Sequence, residues 1–113
     1  MMSLEEKKLL TDIFVAASSI DEYLEGKRDY ETYMASKMRQ RAVERELEII
    51  GEAMNKLLKI NPEIHLSYTR TVVDLRNRII HAYDSLNHTI IWKIIMEDLP
   101  VLLKEVQQLL LQP

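Results

Sequence analysis

The chain has 113 residues, of which 47% are hydrophobic and 29% charged, with only two glycines and three prolines. This length suits one helical domain over residues 1–113, since the composition is too apolar for disorder and too poor in glycine for a loop-rich β protein. Cysteine is absent and the net charge is −3, which excludes disulfides, zinc–thiolate sites and cysteine nucleophiles and argues against coating nucleic acid by charge alone.

The amino-terminal stretch MMSLEEKKLLTDIF becomes polar at once and lacks the apolar run of a signal peptide. No segment approaches the roughly 20 apolar residues that span a bilayer. We therefore expect a soluble cytoplasmic protein with no membrane partner.

Apolar residues at helical spacing predict a first amphipathic helix from about Ser3 to Glu25, stopped at Gly26. The following segment GKRDYETYMASK has no clear period, so we expect a loop with one helical turn at most. A second helix is predicted from Arg39 to about Ile60, because its apolar arc is wide enough for burial on more than one side. Its Gly51 indicates close approach of a neighbouring helix.

Asn61-Pro62 ends the second helix, and a shorter third helix follows with Val72, Leu75 and Ile79 on one side. The segment 84–87 reads as a turn with capping side chains, and a fourth helix runs from about Thr89 to Leu110, with a local kink at Pro100. Four helices with short connections predict an all-α, up-and-down four-helix bundle.

The segment RNRIIHAY, residues 76–83, concentrates residues that suit phosphodiester chemistry. Histidine exchanges a proton near neutral pH, and arginine offers a forked donor that matches phosphate oxygens. An RNA 2′-hydroxyl can attack the neighbouring phosphate without a metal if a base takes its proton and cations stabilise the developing charge. The candidate site residues are Arg76 and His81, with Arg70 and Arg78 as candidate RNA contacts and Lys37–Arg41 as a second cluster of positive charge.

Arg76 and His81 lie five residues apart, about 140° around a helix, whereas Asn77 and His81 share a face. Either the helix ends near Ile80 and redirects His81, or a second chain completes the site, as in an assembly with a two-fold axis.

A purely structural interpretation also fits these residues. Asp74 lies four residues before Arg78 at ion-pair spacing, and His81 can cap the helix end. His65 and His88 have no second ligand at helical spacing, so we expect surface or capping roles and neither metal nor cofactor. Trp92 and the other tyrosines are expected to pack (Tyr23, Tyr30, Tyr33 and Tyr68).

RNRIIHAY resembles the signature of the HepT-like branch of the HEPN superfamily, an arginine, four residues, then His-x-Tyr. AVERELEIIGEAMNKL, NPEI and IIWKIIMEDLPVLLKEVQQLL are similar to that family's second helix, linker and final helix. Asp74, Leu75 and Ala82 depart from the family's usual glycine, methionine and glycine.

The resemblance implies a toxin of a toxin–antitoxin pair: a homodimeric, metal-independent endoribonuclease whose partner is an MNT-type nucleotidyltransferase. It assigns catalysis to Arg76 and His81, a supporting role to Asn77, and attachment of AMP by the antitoxin to Tyr83. Two other functions remain open, a non-catalytic module that binds the nucleotidyltransferase or a nucleotide, and a structural helical dimer.

Overall fold

The computed structural model describes residues 2–82 and 85–112, which contain helices and no strand. The all-α prediction is confirmed. The elements are α1 (Leu4–Tyr23), α2 (Tyr30–Met34), α3 (Lys37–Ile60), α4 (Thr69–His81), α5 (His88–Lys93), a π-helical turn (Ile94–Asp98) and α6 (Leu99–Leu110). The four long helical stretches are α1, α3, α4 and the run through residues 88–110.

Helix α1 is fixed at its start by a reciprocal pair of hydrogen bonds. The Glu6 N–H donates to Ser3 Oγ at 3.1 Å, and the Ser3 N–H donates to Glu6 Oε1 at 3.2 Å. Asn61 Nδ2 donates to the other Glu6 oxygen at 3.2 Å, which ties this turn to the end of α3. These hydrogen bonds, first that from the Ser3 backbone and then that from Asn61, lower the pKa of the Glu6 carboxyl. At the far end α1 ends at Tyr23, two residues before the predicted end at Glu25. Glu25 itself takes the left-handed conformation that follows the helix, with a φ of +55°, and Gly26 continues it with a φ of +70°.

The connection between α1 and α3 contains one short helix, α2, within the stretch predicted to be a loop with one turn at most. Asp29 caps α2 by accepting from the Glu31 N–H at 3.1 Å. Helix α3 then begins at Lys37, two residues before the predicted start. The reason is Ser36, whose hydroxyl accepts from the Arg39 N–H at 3.1 Å and so caps an earlier turn.

Neighbouring long helices pack antiparallel, with α1 between α3 and α6 and α3 between α1 and α4. Two hydrogen bonds show the antiparallel packing of α1 and α3. The Tyr23 hydroxyl at the end of α1 donates to Glu46 in the first half of α3, and Asn61 after the end of α3 donates to Glu6 at the start of α1. The core is formed by the apolar stripes of the long helices together with Tyr33 of α2. The buried residues of the long helices include Leu10, Ile13, Ile20, Val43, Leu47, Ile50, Met54, Leu57, Val72, Ile79, Ile91, Ile95, Leu102 and Val106.

The last helical run departs from α-helical geometry just before Pro100. The Leu99 N–H donates to Ile94 O, five residues back, which makes the segment 94–98 a π-turn. Because Leu99 donates there and Pro100 has no N–H, the Ile95 carbonyl is open to Arg28, whose Nη1 donates to it at 3.3 Å. The predicted irregularity therefore takes the form of a π-turn. None of the described helices is both long and apolar enough to cross a bilayer.

Candidate active site

Helix α4 carries the segment of interest and continues through His81, with Ala82 as its C-cap. The Ala82 N–H donates to Arg78 O at 2.8 Å, which closes the final turn. The helix thus ends one residue beyond Ile80, and His81 keeps helical backbone geometry and is not redirected. Tyr83, the predicted site of modification, lies outside the described residues.

One face of α4 is apolar and buried, and the opposite face is polar and exposed. Val72, Leu75 and Ile79 are buried against the rest of the bundle. The exposed face carries residues spaced three and four apart, which places them in one row. This polar face of α4 consists of Arg70, Asp74, Asn77, Arg78 and His81.

Arg76 lies at the edge of the buried face and is itself half-buried. Its Nη1 donates to Asn77 Oδ1 at 2.9 Å, so the guanidinium is held toward the neighbouring polar face. Its Nε is buried and makes no hydrogen bond with the described residues. Asn77 thus links Arg76 to the row that contains His81, although the two side chains leave the helix about 140° apart.

At Gly51 the backbone of α3 comes close to α4. A Cβ on Gly51 would fall onto the Cβ of Arg76 and would lie 2.6 Å from the carbonyl oxygen of Val72. Real Cβ atoms essentially never come within 3.0 Å of such neighbours. The prediction that this glycine permits close helix approach is confirmed, and its neighbour is the candidate catalytic arginine.

The expected ion pair between Asp74 and Arg78 is absent from the described part of the chain, in which both residues lie. Both are exposed, and both line a cleft between α4 and the start of α5. Arg70 is also exposed, one turn before Asp74. The polar face therefore presents two arginines, with a single carboxylate between them.

In the second cluster of positive charge, Lys37–Arg41, two arginines make contacts that support the fold. Arg39 donates to the backbone oxygens of Tyr23 at 2.8 Å and Thr32 at 3.0 Å, so it holds together the ends of α1 and α2. Arg41 pairs with the buried Glu44 at 3.0 Å. Sequence reasoning missed both roles because the acceptors are distant in the chain or hidden by folding.

An aromatic cluster holds the start of α5 against α2. Tyr33 is fully buried, and its hydroxyl lies 3.0 Å from Nδ1 of His88. Trp92 stacks on Tyr33 with ring centroids 5.4 Å apart, which confirms the packing expected of these two aromatics. His88 was expected on the surface or as a cap, but it is half-buried in this cluster. Burial, followed by the charge of Glu44, raises the pKa of the Tyr33 hydroxyl far above its usual value.

The capping prediction for the turn before α5 is confirmed at Asn87, whose Oδ1 accepts from the N–H groups of Thr89 and Ile90. Asp84 of the same turn lies outside the described residues. His88 and Asn87 together fix the carboxyl end of the connection that contains Tyr83. No cluster of three or more metal-ligating side chains occurs in residues 2–82 and 85–112.

The fold defines an all-α helical-bundle protein, and one of its helices, α4, carries the sequence Arg-Asn-x3-His as a candidate site. The model of the HepT-like family, described as ribonuclease HepT-like, matches residues 13–109. The chain belongs to the HepT-like ribonuclease family, in agreement with the resemblance found in the motif.

Curated relatives support the same family over nearly the full chain. The Methanocaldococcus jannaschii protein named "Putative RNase MJ1380" is 35% identical over 111 residues, 95% of this chain and 98% of its own. The Thermococcus cleftensis protein named "Probable ribonuclease HepT" is 35% identical over 105 residues, 89% and 92% of the two chains. A Caldanaerobacter subterraneus protein named "Putative RNase TTE0752" is 35% identical over 82 residues, 72% and 73% of the two chains. No solved structure matches the chain.

Proposed function

We propose that this protein is a metal-independent endoribonuclease and the toxin of a toxin–antitoxin pair. The observation that carries the proposal is the polar face of α4, on which His81 and Asn77 lie one turn apart while Asn77 holds the Arg76 guanidinium at 2.9 Å. Membership in the HepT-like ribonuclease family supports RNA cleavage as the reaction for this arrangement.

The proposed reaction uses the RNA itself as nucleophile. His81 takes the proton of a 2′-hydroxyl, the 2′-oxygen bonds to the adjacent phosphorus, and the bond to the 5′-oxygen breaks, which leaves a 2′,3′-cyclic phosphate. A protonated histidine supplies the proton that the leaving 5′-oxygen needs. Arg76 binds the phosphate oxygens and stabilises the charge that develops on them.

The decisive experiment measures cleavage of single-stranded RNA by the purified protein in EDTA. We expect His81→Ala and Arg76→Ala each to lower the rate by about 10² to 10⁴, and a substrate lacking 2′-hydroxyls to resist cleavage. His65→Ala is the matched control, because His65 is an exposed histidine outside the motif. Loss of activity in EDTA, or full activity in both motif variants, contradicts the mechanism.

We further propose that the working unit is a homodimer in which the two α4 polar faces meet across a cleft. The support is geometric: on one continuous helix Arg76 and His81 diverge by about 140°, and a two-fold axis would bring the Arg76 of one copy to the His81 of the other.

Mixed dimers test this arrangement directly. When inactive Arg76→Ala protein is exchanged with inactive His81→Ala protein, a shared site predicts recovered activity, since one of the two sites in each mixed dimer then has both wild-type residues. If each site is built within one copy, every site lacks a residue and no activity returns. Light scattering that gives the mass of one chain contradicts the dimer itself.

The proposed regulator is an MNT-type nucleotidyltransferase that attaches AMP to Tyr83. The support is the family and the position of Tyr83 two residues beyond His81, the last residue of α4. An added phosphate there would compete with RNA for Arg78 and Arg76. Mass spectrometry after co-expression tests the idea: no adenylate on Tyr83, or a Tyr83→Phe toxin that the partner still neutralises, contradicts it.

One observation favours the alternative of a non-catalytic module that binds a nucleotidyltransferase or a nucleotide. Asp74 is exposed on the polar face of α4 without an ion pair to Arg78, and its carboxylate repels RNA phosphates. Asp74→Asn should raise the cleavage rate of a ribonuclease. If neither wild-type protein nor Asp74→Asn cleaves RNA or arrests growth, while the partner still binds, the module is the better description.

A further inference from the structure

Gly51 and Arg76 form a close approach between α3 and α4. The place that a Cβ would take on Gly51 is filled by the Cβ of Arg76, and the Arg76 Cγ lies 3.1 Å from it. The aliphatic base of the arginine therefore rests on the backbone of α3. Farther along the side chain, the Nε of Arg76 is also buried.

We infer that Gly51 is a positioning residue that keeps Arg76 in place to bind the RNA phosphate. This inference rests on the proposed function of Arg76. Two contacts restrict the side chain. At its base, the bare backbone of Gly51 receives Cβ and Cγ, and at its tip Asn77 Oδ1 accepts from Nη1. The guanidinium is thus kept at the edge of the polar face of α4 with little freedom to turn away.

The buried Nε has a direct bearing on this role. Arginine Nε–H is a strong donor, and burying it without a partner costs free energy. The group stays buried because the packing of Arg76 against Gly51 determines the path of the side chain. A looser contact would let Nε reach water, so its burial reports on the contact itself.

A methyl group on Gly51 would break this arrangement. Besides Arg76, it would meet the carbonyl oxygen of Val72 at 2.6 Å, and backbone of a packed helix cannot rotate away as a side-chain tip can. Helix α4 must therefore move out by about 1 Å, and displacements of this size in a catalytic group lower rates by about 10².

The test uses Gly51→Ala, with Glu52→Ala as the control because Glu52 is the exposed neighbour on the same helix. The first measurement is hydrogen exchange of the Arg76 Nε–H by nuclear magnetic resonance, assigned by its loss in Arg76→Lys. In wild-type protein this proton should exchange at least tenfold more slowly than that of the exposed Arg78. In Gly51→Ala it should exchange as fast as that of Arg78, and in Glu52→Ala it should remain slow.

The second measurement is RNA cleavage well below the melting temperature. Gly51→Ala should lower kcat by about 10² with a much smaller change in KM, because Arg70 and Arg78 remain exposed on α4. A glycine needed only for folding would lower the melting temperature and leave both the Arg76 exchange rate and kcat of the folded protein unchanged. That result, or equal exchange of Arg76 and Arg78 in wild-type protein, overturns the inference.

The wild-type comparison requires no change at Gly51, so it can overturn the inference even if Gly51→Ala does not fold. The exchange measurement also separates this inference from the proposed function. If wild-type protein cleaves no RNA, the ribonuclease proposal fails, while slow Arg76 exchange that is lost in Gly51→Ala still supports the positioning contact.

Discussion

Asn77 Oδ1 accepts a hydrogen bond of 2.9 Å from Nη1 of Arg76, the residue directly before it. Adjacent residues on a helix point about 100° apart, so this bond requires the long arginine side chain to bend around the helix. Its effect is to bring positive charge from the α3 contact toward the polar face that carries His81. Asn77 therefore acts on the position of the arginine.

This relationship predicts the behaviour of Asn77→Ala. Without the acceptor the guanidinium is restrained only at its base, and we expect kcat/KM for RNA to fall about tenfold, the value of one exposed hydrogen bond to a charged group. Steady-state cleavage of a short RNA measures the effect. Gln108→Ala removes an exposed amide from α6 and should leave cleavage unchanged, whereas wild-type rates in Asn77→Ala contradict this role.

The two exposed arginines of the polar face predict a change in the salt dependence of RNA binding. For single-stranded RNA, each phosphate contact contributes about 0.7 to the slope of log affinity against log salt. We expect Arg70→Gln and Arg78→Gln each to reduce the slope by about 0.7, measured in a His81→Ala background that cannot cleave. Lys8→Gln is the control, because Lys8 pairs with Asp12 on α1. An unchanged slope would show that these arginines do not contact the RNA phosphates.

The carboxyl of Glu6 predicts a dependence of stability on acid. Its pKa is lowered in the folded state by hydrogen bonds from the Ser3 backbone and from Asn61. The stabilisation is therefore complete above the ordinary carboxyl pKa and is lost as the pH falls through the lower, folded value. Urea unfolding from about pH 6 to about pH 3 should show a larger loss of stability for wild-type protein than for Glu6→Gln. Equal losses of stability in the two proteins would contradict this role of Glu6.

The pairing of Tyr33 with His88 predicts energetic coupling between α2 and α5. The hydroxyl of Tyr33 lies in a buried setting, where a hydrogen bond contributes about 1 kcal/mol. A double-mutant cycle of Tyr33→Phe and His88→Leu should give a coupling free energy of about that size. Tyr30→Phe, at a neighbouring but more exposed ring, should change stability by less than about 0.5 kcal/mol. Strict additivity of the two changes would show that the bond contributes nothing.

The parts of the fold that follow a long apolar period could be predicted from the sequence. Helices α1 and α3 and the run through residues 88–110 are of this kind. The close approach at Gly51 could also be predicted, but for another reason: glycine destabilises the interior of a helix, so its presence there indicates a packing requirement. Helix α2 could not be recognised, because five residues show no period and its place depends on the burial of Tyr33.

The sequence predicts the residue types of the candidate site and not its geometry. The motif predicts which side chains would carry the chemistry, but the length of α4 decides whether Arg76 and His81 converge, and helix ends are set by local capping and tertiary contacts. The hydrogen bond from Arg76 to Asn77 and the anchoring of His88 by Tyr33 also depend on side-chain paths. These paths leave no pattern in the sequence.

The π-turn at residues 94–98 sets the rotational phase between the two ends of the last helical run. A π-turn holds one residue more than a regular turn, so if the same residues formed regular α-helix, α5 would be rotated by about 100° relative to α6. Trp92 would then leave its place on Tyr33 while Leu102 and Val106 kept theirs. The π-turn therefore absorbs one residue and keeps His88 and Trp92 in register with the rest of the bundle.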